Sequence, residues 1–162
     1  MNFGLELITK GKSITQTDLQ RLAVVIRSEI PIELQNLLLF HNGGDLEVNS
    51  FYRLIGNTTF QTSSIKSIMS VEEIETTFNN LSDDSTFCES KIIPFASLLG
   101  PGIIGIGWNV YNRGKIYIYD WDYGLTYQAA SLNEFCKQLV FTDSSELRKQ
   151  LLTLQEETKW II

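Results

Sequence analysis

Gly100, Gly102 and Gly105 spell the G-x-G-x-x-G of a dinucleotide-binding loop. Such a loop works when it leaves a strand and opens a helix whose N-terminus meets the pyrophosphate. Here Pro101 and the alternating pattern from Ile103 to Val110 make it a turn that opens a strand, so no nucleotide cofactor is expected. His41 is the single histidine, which removes multi-histidine metal centres and paired imidazoles. Lying just before Asn42-Gly43-Gly44, it reads as a packing or capping residue at a helix end. Asp120 and Asp122 flank Trp121 and could touch a hard cation, yet such ions require several more converging oxygens. Cys88 and Cys136 have Lys91 and Lys137 nearby in sequence, but Lys137 adjoins Cys136 on a helix and points away from it. Cys136 is read as core. The sequence therefore displays no catalytic constellation, no metal site and no cofactor site, and the expectation is a protein that is not an enzyme.

The residues left to explain are the aromatic ones around that aspartate pair. Ile104, Ile106, Trp108 and Val110 alternate with Ile103, Gly105, Gly107 and Asn109, and the alternation resumes after Asn112-Arg113-Gly114 as Ile116, Ile118 and Asp120 against Tyr117, Tyr119 and Trp121. Period two in both arms means a β-hairpin. A three-residue loop with Gly114 left-handed sets Val110 opposite Ile116, Trp108 opposite Ile118 and Ile106 opposite Asp120. That register collects the aliphatic residues on one face. On the other it places Gly107 beside Tyr119 and Gly105 beside Trp121, with rings over bare backbone. Tyr117, Tyr119, Trp121 and Tyr123 then form either a second core beneath a loop or a recognition surface. Asp120, on the aliphatic side near the sheet margin, is placed to receive backbone or side-chain hydrogen bonds.

Other elements must hold this hairpin. Leu19, Leu22, Ala23 and Ile26 give residues 15–28 one apolar helical stripe. Pro31 suits the first turn of a second helix whose Leu34, Leu37, Leu38 and Phe40 face inward and which stops at Asn42-Gly43-Gly44. A strand is expected over residues 47–55. Ser70 with Glu73 writes a capping box for a helix running to about Asn80. Residues 57–64 and 82–90, rich in Ser, Thr, Asn and Asp, read as loops. Asn57-Thr58-Thr59 and Asn80-Leu81-Ser82 match glycosylation sequons and are read as solvated loop sequence. A strand over residues 125–129 follows the hairpin, then a helix capped by Ser131 and Glu134 with Leu132, Phe135, Cys136, Leu139 and Val140 on one stripe. Asp143 and Glu146 cap a last helix carrying Leu147, Leu151 and Leu154. The order argues a single α+β domain over residues 1–162, a mainly antiparallel sheet with helices packed on one face.

The chain has 162 residues, 19 acidic against 13 basic, and net charge −6. Phosphate repels such a surface, so direct nucleic-acid binding is not expected and a basic partner is favoured. No apolar run approaches the roughly 20 residues of a membrane span, and the N-terminus lacks the pattern of an export signal. A cytoplasmic location without membrane association is the expectation.

Taken together, the pieces resemble the SUKH superfamily, the cell-wall-assembly-regulator-like domains that include bacterial immunity proteins. The resemblance rests on the helix over residues 31–40 ending His41-Asn42-Gly43-Gly44, Ser70-Val71-Glu72-Glu73-Ile74, Ile92-Ile93-Pro94-Phe95-Ala96, the hairpin ending Gly114-Lys115-Ile116-Tyr117, and residues 132–139. It spans about residues 15–140, leaving residues 143–162 as a C-terminal helical extension. Leu98-Leu99-Gly100-Pro101-Gly102 departs from the small polar or acidic stretch that relatives carry there. The resemblance implies an antidote that binds and neutralises a cognate bacterial toxin domain, often a nuclease, through a tight protein complex. Tyr117, Tyr119, Trp121 and Tyr123, with Asp45, Glu47, Asp120 and Asp122 as charge partners, are the residues expected to carry the contact. The rival expectation is a regulatory or scaffolding module of the same fold with ligands unrelated to toxins.

Overall fold

A computed structural model describes residues 11–55, 59–140, 149, 152, 153, 155 and 156. The first element among the described residues is α1 (Gln16–Ile26), where the Asp18 carboxylate accepts a hydrogen bond from the Thr15 N–H at 2.9 Å and Leu19, Leu22 and Ile26 are buried. Pro31 then sets the entry to α2 (Ile32–Phe40), which buries Leu34, Leu37 and Leu38. Phe40, expected inside, is exposed. It lies about 200° around the helix from the buried Leu38, which puts it on the outer side.

Among the described residues, six strands follow one another in a single antiparallel sheet, each paired with its sequence neighbours: β1 (Ser50–Ile55), β2 (Thr59–Ile68), β3 (Ile92–Leu98), β4 (Gly102–Gly107), β5 (Ile116–Asp120) and β6 (Gly124–Ala129). Between β2 and β3 come α3 (Val71–Asn80) and α4 (Ser85–Ser90), and α5 (Leu132–Lys137) follows β6. The sheet and helices confirm an α+β fold. The capping box of α3 is formed in both directions, Glu73 N–H to Ser70 Oγ at 3.2 Å and Ser70 N–H to Glu73 Oε2 at 2.7 Å.

Two expected loops are ordered elements. Residues 59–64, read as loop, are the first half of β2 and pair with β1, while Ile65 and Ile68 in the second half pair with β3. None of the polar half is buried, so it lacks the apolar alternation that reveals a strand. Within residues 82–90, Asp84 caps α4 by accepting from the Phe87 N–H at 3.0 Å. Of the expected last helix, residues 149, 152, 153, 155 and 156 are helical, and Asp143, Glu146, Leu147, Leu151 and Leu154 lie outside the described residues.

The predicted hairpin exists with its faces as expected but its register moved by four residues. Ile106 pairs with Ile116, Ile104 with Ile118, Gly105 with Tyr117 and Ile103 with Tyr119. Trp108 and Val110 leave the strand for an eight-residue connection over residues 108–115. Asn112 builds that connection: its Oδ1 accepts from the Asn109 N–H at 3.0 Å, and its Nδ2 donates to the Ser90 carbonyl at 3.0 Å. Gly114, at φ 81°, closes it by donating its N–H to the Gly107 carbonyl at 2.9 Å. A Cβ on Gly107 would stand 2.1 Å from the Asn112 carbonyl oxygen, so only glycine fits beneath the loop. The side chain packed over Gly105 is Ile92, not Trp121.

The core fills between these layers. Phe135 of α5 meets Phe51 of β1 edge-on at 5.3 Å and Phe95 of β3 at 6.5 Å between ring centroids. Side chains join β1 to the far strands: Gln128 Nε2 of β6 donates to the Tyr52 carbonyl at 3.0 Å, and Arg53 Nη2 donates to Asp120 Oδ2 at 2.6 Å. Two helices end on left-handed residues that are not glycine, Arg27 after α1 at φ 62° and Lys91 after α4 at φ 55°. A side chain in that conformation costs about 1 kcal/mol or more relative to glycine.

Candidate protein-binding surface

The aromatic face of β5 and β6 divides into a buried part and an exposed part. Tyr119 belongs to the core: it is 5% exposed, and its ring packs edge-on against Phe87 of α4 at 5.9 Å. Its hydroxyl donates to Asp84 Oδ2 at 2.8 Å. Burial, and then the neighbouring Asp84 carboxylate, push the Tyr119 phenol above its usual range. The same carboxylate caps α4, and the bonds from the Phe87 N–H and the Tyr119 hydroxyl hold its acid below the usual carboxylate range. One aspartate thus fixes both the helix start and the ring beneath the surface.

The exposed part runs along the edge of the sheet. Trp121 is 48% exposed, Tyr123 60%, Leu125 40% and Tyr127 54%. Tyr117 is half-buried and meets Tyr127 edge-on at 6.0 Å between centroids. Burial raises the Tyr117 phenol, and Tyr127 adds to the shift. The Trp121 ring leans on Tyr119 at 5.3 Å in a T-shaped pair. Tyr119 pairs with Leu125 and Tyr117 with Tyr127 across the ladder, so these four side chains share one face. Rings held against neighbours in this way lose little further freedom on contact, which favours their use as anchors. Leu125 and Tyr127 were not singled out from sequence, although their alternation in residues 125–129 has the parity of Tyr117 and Tyr119 carried around the turn.

The four acidic candidates are not gathered together. Asp120 is 3% exposed and points to the aliphatic side. Burial works against its ionisation, but the bond from Arg53 and the N–H groups of Asp122 and Tyr123 outweigh it and hold the carboxyl below its ordinary value. Asp120 therefore takes the hydrogen-bonding role expected of it, with its charge engaged by Arg53. Asp122 is exposed in the turn beside Trp121 and Tyr123. Asp45 and Glu47 are exposed on the segment joining α2 to β1, where Gly44 pairs with Ile68 at the end of β2. β3 and β4 separate β2 from β5 in the sheet.

The groups with chemical potential are held in structural roles. Gly102 and Gly105 lie in β4, so the glycine run opens a strand and not a helix. His41 ends α2, its N–H bonding the Leu37 carbonyl at 2.6 Å. Asn42 is buried and ties two segments together, Nδ2 donating to the Lys12 carbonyl at 2.7 Å and Oδ1 accepting from the Val71 N–H at 2.9 Å. Burial pushes the Cys136 thiol up to about 12, which leaves it un-ionised at neutral pH. Among the described residues no three His, Cys, Asp or Glu side chains are grouped to hold a metal ion. No helix among them is long and apolar enough to cross a membrane.

Residues 45–140, more than half of the chain, match the RhsPI family. The matched span begins just after α2 and runs through the whole sheet to the end of α5. No curated protein matches the chain.

Proposed function

The chain belongs to the RhsPI family, a toxin-associated family of immunity type, and from that premise we propose that it neutralises a cognate bacterial toxin domain by binding it. The observation that carries this reading is the exposed strip formed by Trp121 and Tyr123 in the turn after β5 and by Leu125 and Tyr127 of β6. Large exposed aromatic groups supported from below are the side chains that most often supply binding energy in protein interfaces. Tyr117 extends the strip, and Tyr119 supports Trp121 from the core. Asp122 sits within the strip and supplies negative charge, with Asp45 and Glu47 acting as more distant contributors to the potential.

The net charge of −6 favours a basic partner. Opposite fields raise association rates by roughly 10- to 1,000-fold, and an interface of ordinary size buries about 800 Å² on each side. A nuclease, whose surface is built to meet phosphate, is a partner of this kind. The neutralising act is occlusion in a stoichiometric complex formed in the cytoplasm, with no bond made or broken by the antidote. The order of its helices and strands supports reading the frame that carries the strip as SUKH-like.

The test is co-expression with its cognate toxin domain. Growth is restored by the wild-type chain and fails with Trp121→Ala and Tyr127→Ala combined, at equal soluble expression. Full protection by the double variant overturns the assignment of the surface. Failure of the wild-type chain to protect, although it is folded and abundant, overturns the function.

A further inference from the structure

Between the C-terminal ends of α1 and α4 lies a cavity of about 450 Å³, of the size that small-ligand sites have. Phe78 of α3, Phe87 of α4, Ile92 of β3 and Trp108 of the 108–115 connection give it apolar walls. Arg27 and Lys91 are the charged residues in its lining, and no carboxylate accompanies them. In a chain of net charge −6 that is a local reversal of sign.

The same two residues are the non-glycine positions with left-handed backbone among the described residues. Glycine is the ordinary choice at a left-handed helix end, because it meets no Cβ penalty there. A cation would complement the helix dipole equally well from the last turn itself, without strain. Neither α1 nor α4 carries one there. The cations occupy instead the two strained positions that border one cavity, and strained backbone of this kind concentrates at binding sites. Lys91 Nζ lies 5.5 Å from the centre of the Trp108 ring, so the charge already sits over an aromatic wall.

We infer that this cavity binds a carboxylate carried on an aromatic or branched apolar body, the anion between Arg27 and Lys91 and the body against Phe78, Phe87, Ile92 and Trp108. A small free acid and the C-terminal residue of another polypeptide both present that chemistry. The site does not depend on toxin binding, although Phe87 also packs on Tyr119 beneath the aromatic strip.

The experiment titrates the full chain with 1-naphthaleneacetate and with its uncharged isostere 1-naphthaleneacetamide by calorimetry. The acid binds about tenfold more tightly than the amide, the scale of two partly exposed ion pairs. Arg27→Gly and Lys91→Gly each weaken the acid several-fold and leave the amide unchanged, and both variants stay folded because glycine suits the left-handed backbone. Cys88, exposed in the cavity lining, gives a second readout. Saturating acid slows its alkylation by iodoacetamide. N-acetyl-Ala-Ala-Phe and its C-terminal amide separate the two sources: binding of the free-acid peptide assigns the site to a chain end, and binding of the naphthalene acid alone assigns it to a small molecule. Equal affinity for acid and amide, unchanged affinity in both glycine variants, or unprotected Cys88 overturns the inference.

Discussion

Replacing Asp120 by Asn removes one charge from an ion pair whose side chains are 9% and 4% exposed and whose Nη2 to Oδ2 distance is 2.6 Å. The Asn oxygen can still accept from the N–H groups of Asp122 and Tyr123, which lie 2.8 and 3.2 Å from Oδ1, so the turn after β5 keeps its bonds. What is lost is the partner of a buried guanidinium whose Nε has no hydrogen bond among the described residues. Stripping one partner from a buried pair costs about 3–5 kcal/mol, and retention of the turn puts Asp120→Asn near the lower end. For a domain of this size about 3 kcal/mol lowers Tm by about 6–12 °C. Arg53→Met is similarly costly because it strands the carboxylate, whereas the double variant costs well under the sum. The pH dependence has a definite sign. The folded Asp120 carboxyl lies below its ordinary value, so the pair's stabilisation is complete above the unfolded value of about 3.9 and fades as pH falls through the folded one. The gap between wild type and Asp120→Asn therefore narrows in acid. Urea unfolding followed by tryptophan fluorescence, at pH 7 and through an acid series, measures both. A variant within about 1 kcal/mol of wild type at pH 7, or strictly additive single variants, refutes the assignment of a coupled buried pair.

Further predictions concern the supports of the surface. Tyr119→Phe removes the bond to Asp84 and costs about 1 kcal/mol by chemical denaturation, leaving affinity for the partner within twofold of wild type. Gly107→Ala forces a Cβ to 2.1 Å from the Asn112 carbonyl oxygen and lowers stability by about 3 kcal/mol, read as a loss of Tm; an unchanged Tm contradicts the close packing. Iodoacetamide at pH 8 modifies Cys88 and spares Cys136 in the folded protein, since burial holds the Cys136 thiol at about 12; mass mapping that finds Cys136 modified first contradicts this.

The side-chain alternation of β4 and β5 was legible in the sequence, and with it the division into an aliphatic and an aromatic face. The register was not, because Asn112 closes an eight-residue connection through long-range bonds to Ser90 and Lys91 that local turn rules do not contain. A shift of four residues preserves parity, so the faces survived while their partners changed. Residues 59–64 were hidden for a different reason: their strand is held by backbone pairing with β1 and exposes Thr59, Gln61 and Thr62, leaving no apolar signal. α4 has one buried anchor, Phe87, and its cap Asp84 gains meaning only once Tyr119 is beside it. Within the candidate surface, Trp121 keeps the expected face but lies with Asp122 and Tyr123 in the turn after β5, away from Gly105. Arg53, the partner that engages Asp120, comes from a strand 67 residues away and carries no local trace of that role.

In the proposed complex the β5–β6 strip binds the toxin. Calorimetry with the purified cognate toxin domain measures it directly, comparing wild type with Trp121→Ala and Tyr127→Ala. Each variant raises Kd by about 30-fold or more, the loss of an anchor worth about 2 kcal/mol, while Tm stays within a few degrees. Wild-type Kd in both variants, with the complex intact, contradicts the account.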